Sequence, residues 1–349
     1  MANQFLKKGF AFDGRAVILK SQLNGILGIT MAGRIPKVVV VGGTYVDMVI
    51  KCAHIPSPGQ SIIGSALSYT SAGPGPNQSV EAAFCGCQVY LVSKVGGDLF
   101  GQMVKNNLAE LGVNTDFIFT AEAKNTGSVV TLVDGKGENA SVVYTGANSA
   151  LRPQDIDSAE RIISEADICL IHGQLPQDAI VAALRCAKVH GIKVILNPAR
   201  PLEHTGRLSG DLPVEYFSAD ILIPNLYEAA DITEQSAANI RAAKLIGSDL
   251  VSRGAGSAVI TMGRRGCMVV DRNGADHIPA FKIHLVDKTA GGDAFAGAMA
   301  AYYAVENDVR GAAKFASAAG ALACTKFGSI EALPTKAEII QLLQREDTY

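Results

Sequence analysis

The run Asp287-Lys288-Thr289-Ala290-Gly291-Gly292-Asp293 places two glycines between two carboxylates, directly before the small-residue stretch AFAGAMAAYYA. If a helix starts at the glycines, Ala290, Gly291 and Gly292 present unhindered backbone N–H groups at the positive end of its dipole, which makes an anion cradle. Asp293 then lies in the first turn. A carboxylate there can cap the helix, as acids in a first turn commonly do. It can also stand at the lip of a phosphate cradle and accept the proton of an attacking hydroxyl. The two glycines, the small helix face and the second acid six residues upstream favour the second reading.

Elements that would carry such a site are legible along the chain. Short β-branched runs at Val38–Val41, Val89–Ser93, Ile168–Ile171, Val194–Leu196, Ile221–Ile223 and Ala258–Thr261 alternate with amphipathic stretches at Gly101–Leu111, Gln177–His190, Ala237–Arg253, Asp293–Val305 and Gly311–Lys326. This grammar predicts an α/β fold with a doubly wound, mostly parallel sheet flanked by helices. Residues 61–72 and 127–145 break it with strand-like alternation, and Asp134-Gly135-Lys136-Gly137 supplies a turn. They predict a small antiparallel β lid that covers a ligand or pairs with a second copy.

The Asp287–Asp293 run resembles the C-terminal signature of the ribokinase, or PfkB, group of carbohydrate kinases. Ala72-Gly73-Pro74-Gly75-Pro76-Asn77-Gln78 resembles the N-terminal signature of that group, and the likeness spans about residues 36–345. The resemblance implies a ribokinase-like domain over 36–345, with lid segments at about 48–72 and 127–145. It also implies transfer of the γ-phosphoryl of ATP to a hydroxymethyl group of a sugar, with Mg²⁺ on the phosphates and K⁺ as a further cation. Asp293 takes the place of the family's general base, with Ala290, Gly291 and Gly292 as its anion hole. For the sugar it implies Asp47, Gly73 and Asn77, with Tyr45 and Gln174 as departures at neighbouring positions. For the nucleotide it implies Asn197, Asn225, Thr261, Gly263 and Gly266. Glu228 would hold Mg²⁺ through water, and Asp287 and Thr289 would lie at the K⁺ site. Each has a plainer reading: Asn225 and Glu228 as a helix cap, the glycine pair as a turn, Asn197 before Pro198 as a turn former. Tyr45, Pro74 and Gln174 stand where ribokinases commonly carry Asn, Lys and Glu, which leaves fructokinase-like and nucleoside-kinase-like activity beside ribose phosphorylation. A catalytically quiet sugar or nucleoside sensor is the alternative from another class; the intact Asp293 argues against it.

Composition removes other classes. Among 349 residues, 31 Lys+Arg nearly balance 33 Asp+Glu, so no strong field selects nucleic acid. No apolar run approaches the ~20 residues of a membrane helix. Seven scattered cysteines read as free thiols in a reducing cytoplasm. Val38–Asp47 lacks the Gly-x-Gly-x-x-Gly register of a dinucleotide site, and the chain has no Gly-x-x-x-x-Gly-Lys-[Ser/Thr]. His172, at a strand end, reads as a packed core-edge residue. Residues 1–35 look unlike the rest; they read as an extension with no catalytic role. The bare lid implies a homodimer.

Overall fold

The computed structural model describes residues 34–200, 202, 212–237 and 239–346. The extension assigned to 1–35 therefore lies outside the described residues except for its last two. The strands are β1 (Lys37–Val41), β2 (Tyr45–Lys51), β3 (Ala66–Ala72), β4 (Gln88–Gly96), β5 (Val113–Asn114), β6 (Ile118–Ala121), β7 (Gly127–Val133), β8 (Asn139–Tyr144), β9 (Ile168–His172), β10 (Lys193–Asn197), β11 (Ile221–Leu222), β12 (Ser257–Thr261), β13 (Cys267–Asp271) and β14 (Gly274–Ile278). The main sheet runs β14-β13-β12-β11-β10-β9-β1-β4-β5, with β6 paired to β4. From β12 to β5 it is parallel, and an antiparallel hairpin closes the β14 edge. Its central strands are continuous apolar runs. Val38–Val41 and Ile168–Ile171 are at most 1% exposed, as both faces of a parallel sheet are covered.

Helices α1 (Pro74–Phe84), α2 (Leu99–Glu110), α3 (Pro153–Ser158), α4 (Glu160–Ser164), α5 (Gln177–Val189), α6 (Leu226–Thr233), α7 (Ile240–Ser252), α8 (Gly291–Glu306), α9 (Val309–Ala323) and α10 (Lys336–Glu346) flank the sheet. One layer packs α1, α8 and α9 against one face, and the other packs α3 to α7 against the opposite face. Small residues let α8 press close to its neighbours. A Cβ on Gly297 would lie 2.6 Å from the Gln78 carbonyl oxygen, so α1 and α8 meet at their backbones.

The lid is a separate sheet in the order β3-β2-β7-β8. Its outer pairs are antiparallel, but its central pair, β2 with β7, runs parallel. Alternation within each strand does not encode direction, which is why the sequence suggested an antiparallel sheet throughout. The register sorts its faces. Asp47, Thr70, Val129 and Val143 share one, with Ser68, Thr131 and Ser141 one pleat further on; Met48, Tyr69, Val130 and Val142 share the other, with Ile50, Leu67, Leu132 and Ala140.

Helix α1 is absent from the periodicity reading, because Gly73-Pro74-Gly75-Pro76 reads as a loop. The structure uses both prolines in the first turn, where a missing N–H costs nothing and a preset φ helps. Gly73 precedes them with φ 102°, and a Cβ there would lie 2.8 Å from the Gly43 carbonyl oxygen.

Candidate active site

Asp293 lies at the third position of α8, partly buried, and no side chain caps that helix. Its two oxygens are bound elsewhere: the Asn77 side-chain amide donates to Oδ2 at 2.8 Å and that of Gln78 to Oδ1 at 3.0 Å. The capping reading is thereby set aside. Burial pushes the carboxyl above its usual range, and the two amide donors work against that rise. A base with a raised pKa holds a proton better once it has taken one. Beside it, a Cβ on Gly292 would meet nothing within 4 Å, whereas one on Gly291 would lie 2.7 Å from Cys324 Sγ. Gly291 is thus needed for packing against α9, while Gly292 leaves the helix N-terminus open on the side where an anion can approach. Ala290 is buried beneath it.

On the acceptor side, Asp47 projects from the polar face of the lid. Burial raises its pKa, the Thr131 hydroxyl lowers it, and the charges of Glu331 and Asp287 raise it again. Its Oδ1 is buried without a partner among the described residues. Tyr45, 2% exposed, opens β2 at the root of the lid. Cβ atoms on Gly73 and Gly127 would fall 2.7 and 2.9 Å from its ring, and one on Gly43 3.2 Å away. Its hydroxyl also lacks a partner, and burial pushes its pKa up to about 12. Gln174 follows β9 and meets the same glycine, its carbonyl oxygen 3.4 Å from a Gly43 Cβ. Its amide N–H donates to His172 Nδ1 at 3.2 Å. His172 is buried and its pKa is pushed down to about 4, so it stays neutral, as a core-edge residue should. Asn77 and Gly73, expected at the sugar, serve first as the holder of Asp293 and as the entry to α1.

The nucleotide-side residues line the carboxyl ends of β10 to β12, the edge at which open parallel sheets bind ligands. Asn197 ends β10, Asn225 follows β11 and bridges to Thr261 at the end of β12. Asn225 Oδ1 accepts from the Tyr227 and Glu228 N–H groups, each at 2.9 Å, and Glu228 Oε2 accepts from Asn225 N–H at 2.8 Å. This reciprocal box caps α6, so the plainer reading of the pair holds. Burial raises the Glu228 pKa, its bond from Asn225 lowers it, and Arg200 lowers it further. Gly263, with φ 57°, meets nothing within 4 Å; Gly266, with φ 82°, is forced by the Ile278 carbonyl, against which any Cβ would collide.

Asp287 Oδ1 accepts from the Thr289 hydroxyl at 2.6 Å and its N–H at 3.0 Å, and Oδ2 accepts from Gly328 N–H at 3.2 Å. Burial opposes ionisation here, but these donors outweigh it and hold the carboxyl below its usual range. Among the described residues no three His, Cys, Asp or Glu side chains cluster to hold a metal ion. Mg²⁺ with a nucleotide needs no such cluster, since it binds through one or two carboxylates together with phosphate oxygens and water.

Several supporting side chains were given no role by the sequence. Gln78 and Ser329 are distant in sequence from the residues they support: Ser329 Oγ donates to Asn77 Oδ1 at 2.9 Å. Thr70 donates to Glu331 Oε1 at 2.8 Å. The turn 328–331 therefore touches Asp287, Asn77 and the lid at once. Asn148, fully buried, binds both the N–H and the carbonyl of Thr44 and fixes the turn between β1 and β2.

Residues 35–336 match the model of the pfkB family carbohydrate kinases. The chain is 32% identical to the ribokinase of Haemophilus influenzae over 305 residues, covering 87% of this chain and 97% of the relative. It is 29% identical to the deoxyribokinase of Salmonella typhi over 299 residues, covering 85% and 95%. The structure of Arabidopsis thaliana ribokinase complexed with ribose and ATP superposes with a TM-score of 0.81 at 23% identity, covering 89% of this chain and 99% of that one. No helix among the described residues is long and apolar enough to cross a membrane. With the family match spanning nearly the whole described chain, and with both of its signature segments meeting at one carboxylate, the protein belongs to the pfkB family of carbohydrate kinases.

Proposed function

We propose that this protein transfers the γ-phosphoryl group of ATP to a hydroxymethyl group of ribose or a closely similar pentose. One observation carries the reading: Asp293 is held by two amide donors at the opening of a glycine-rich helix N-terminus and is not spent as a cap. The acceptor hydroxyl oxygen forms the new bond to the γ-phosphorus, the bond from that phosphorus to the β-bridging oxygen breaks, and ADP leaves. Asp293 takes the hydroxyl proton. The N–H groups at the start of α8 receive the charge on the transferring oxygens. Asp47 binds acceptor hydroxyls through its unpartnered oxygen. Glu228 would hold Mg²⁺ through water, and the ion would supply neutralisation of phosphate charge. ADP release measured with Mg·ATP over ribose, 2-deoxyribose, fructose and adenosine tests it; turnover on a pentose is expected, and none on any acceptor would leave the sensor reading.

The proposal extends to a homodimer through the lid. Leu67, Tyr69 and Val142 are 63%, 56% and 74% exposed on the face turned away from Asp47. A second copy of the same sheet is the self-complementary partner that would cover it. Sedimentation at micromolar concentration is expected to give a dimer, and a monomer with and without substrate would refute it.

A further inference from the structure

We infer that Gln78 is a positioning residue for Asp293, holding its carboxylate in place and setting how readily it takes the proton. The inference rests on Asp293 being the base. Gln78 is fully buried on α1, one residue after Asn77. Its Nε2 donates to Asp293 Oδ1, while its own Oε1 is buried with no partner among the described residues. A buried amide with one unsatisfied end is costly, and a merely space-filling side chain would not need the polar group. The orientation is fixed, because a flipped amide would set Oε1 against a carboxylate oxygen. Asn77 is tied at both ends, to Asp293 and to Ser329. Among the described residues the Gln78 side chain is tied to Asp293 alone, so that contact is its polar role there.

The helix packing explains why the reach is reproducible. Asp293 and Gly297 are one turn apart on the same face of α8, and Gly297 rests on the Gln78 carbonyl and the Glu81 side chain. Backbone contact at Gly297 sets the distance between helices, and that distance brings the Gln78 amide to Asp293. The charged and titratable groups around this contact are few. Glu81 lies one turn further along α1, buried and pushed well above its usual range by that burial. Asp287 and Lys288 lead into α8, Lys326 precedes the turn at 328–331 and Glu331 ends it, with Ser329 of that turn bound to Asn77. The two donors that lower the pKa of Asp293 are Asn77 and Gln78.

The experiment is a pH profile of kcat with Mg·ATP and whichever of ribose and 2-deoxyribose turns over faster. Gln78→Met keeps the length and removes the donor. It is expected to lower kcat by about 10- to 100-fold, the effect of losing a hydrogen bond to a charged group, with KM for ATP unchanged. The acid limb of the profile is expected to move to higher pH, which a purely structural defect would not produce. Introduced into Asp293→Asn, the same substitution should cost no further turnover, since it acts through the missing carboxylate. An unshifted acid limb, or a full additional loss in the Asp293→Asn background, overturns the inference. If Gln78→Met does not fold, Gln78→Glu decides, because a second carboxyl beside Asp293 must raise the acid limb further if the two groups touch. Wild-type turnover in Asp293→Asn alone would instead remove the base, and the proposed mechanism with it.

Discussion

The proposed acceptor end of the site and the proposed nucleotide end are built on opposite principles. At the acceptor end, Asp47 Oδ1 and the Tyr45 hydroxyl are buried polar atoms without partners among the described residues. At the nucleotide end the side chains satisfy one another: Asn225 and Glu228 close a capping box, and Asp287 is bound by Thr289 and Gly328. A site that leaves buried polar atoms unpaired discriminates sharply, because a ligand lacking the matching group leaves their desolvation unrelieved. One built from backbone and completed caps binds charge with little dependence on detail. In the proposed kinase, selectivity for the sugar therefore resides in side chains, and retention of the phosphates in the fold itself.

The strongest way to break this contrast is Asp293→Asn. The amide is nearly isosteric, and turnover should fall by about 10²–10⁴-fold as general-base contributions do, with the ATP KM unchanged and the thermal midpoint held or raised. In the wild type, turnover should rise with pH through an acid limb above the usual carboxylate range, since the base acts only when deprotonated and burial raises its pKa. Next comes Asp47→Ala. A charge-assisted hydrogen bond is worth roughly 1.5–3 kcal/mol, so the acceptor KM should rise about 10- to 100-fold while the ATP KM stays put; a rise in both would show that the two ends are not separable.

A smaller effect sharpens the contrast inside the cradle. Gly292→Ala places its methyl in open space, so the thermal midpoint should hold or rise while turnover drops. Gly291→Ala presses on Cys324 Sγ and should lower the midpoint, with Cys324→Ala restoring it. The smallest effect lies beneath the acceptor end, at Glu81, whose pKa is raised well above 4.5 by burial. An acid raised on folding binds more protons in the folded state, so its contribution is fully present below the unfolded value and is lost as pH rises through the folded one. Glu81→Gln should therefore be more stable than the wild type at neutral and alkaline pH, and denaturant titrations across pH would show the two curves converging on the acid side.

How much of this was legible follows from where the signal lies. Continuous β-branched runs gave the central strands, and Asp287–Asp293 gave the helix start because glycines and acids at fixed offsets leave few alternatives. Helix α1 was invisible, since its prolines mark a loop unless the first-turn exception is known to apply. With it went Gln78, whose partner is set by helix packing across the core. The same holds for Ser329, Glu331 and Asn148, polar residues whose roles come from contacts remote in sequence. The direction of β2 against β7 was illegible for a different reason: alternation reports faces, and nothing in it reports polarity.

That parallel pair has a consequence for how the chain assembles. Tyr45 pairs with Gly127, and between them lie α1, β4 and α2, all of them parts of the main body. The lid has no local nucleus for its central pair, and closing so long a connection is entropically unfavourable until the intervening elements have condensed. The body must therefore form first and carry the two lid segments together. In hydrogen exchange the lid amides are expected to belong to the first cooperative unit to open, and β1 and β9 to exchange only with global unfolding. The part of the molecule that recognises the acceptor is thus the last to be made and the first to be released.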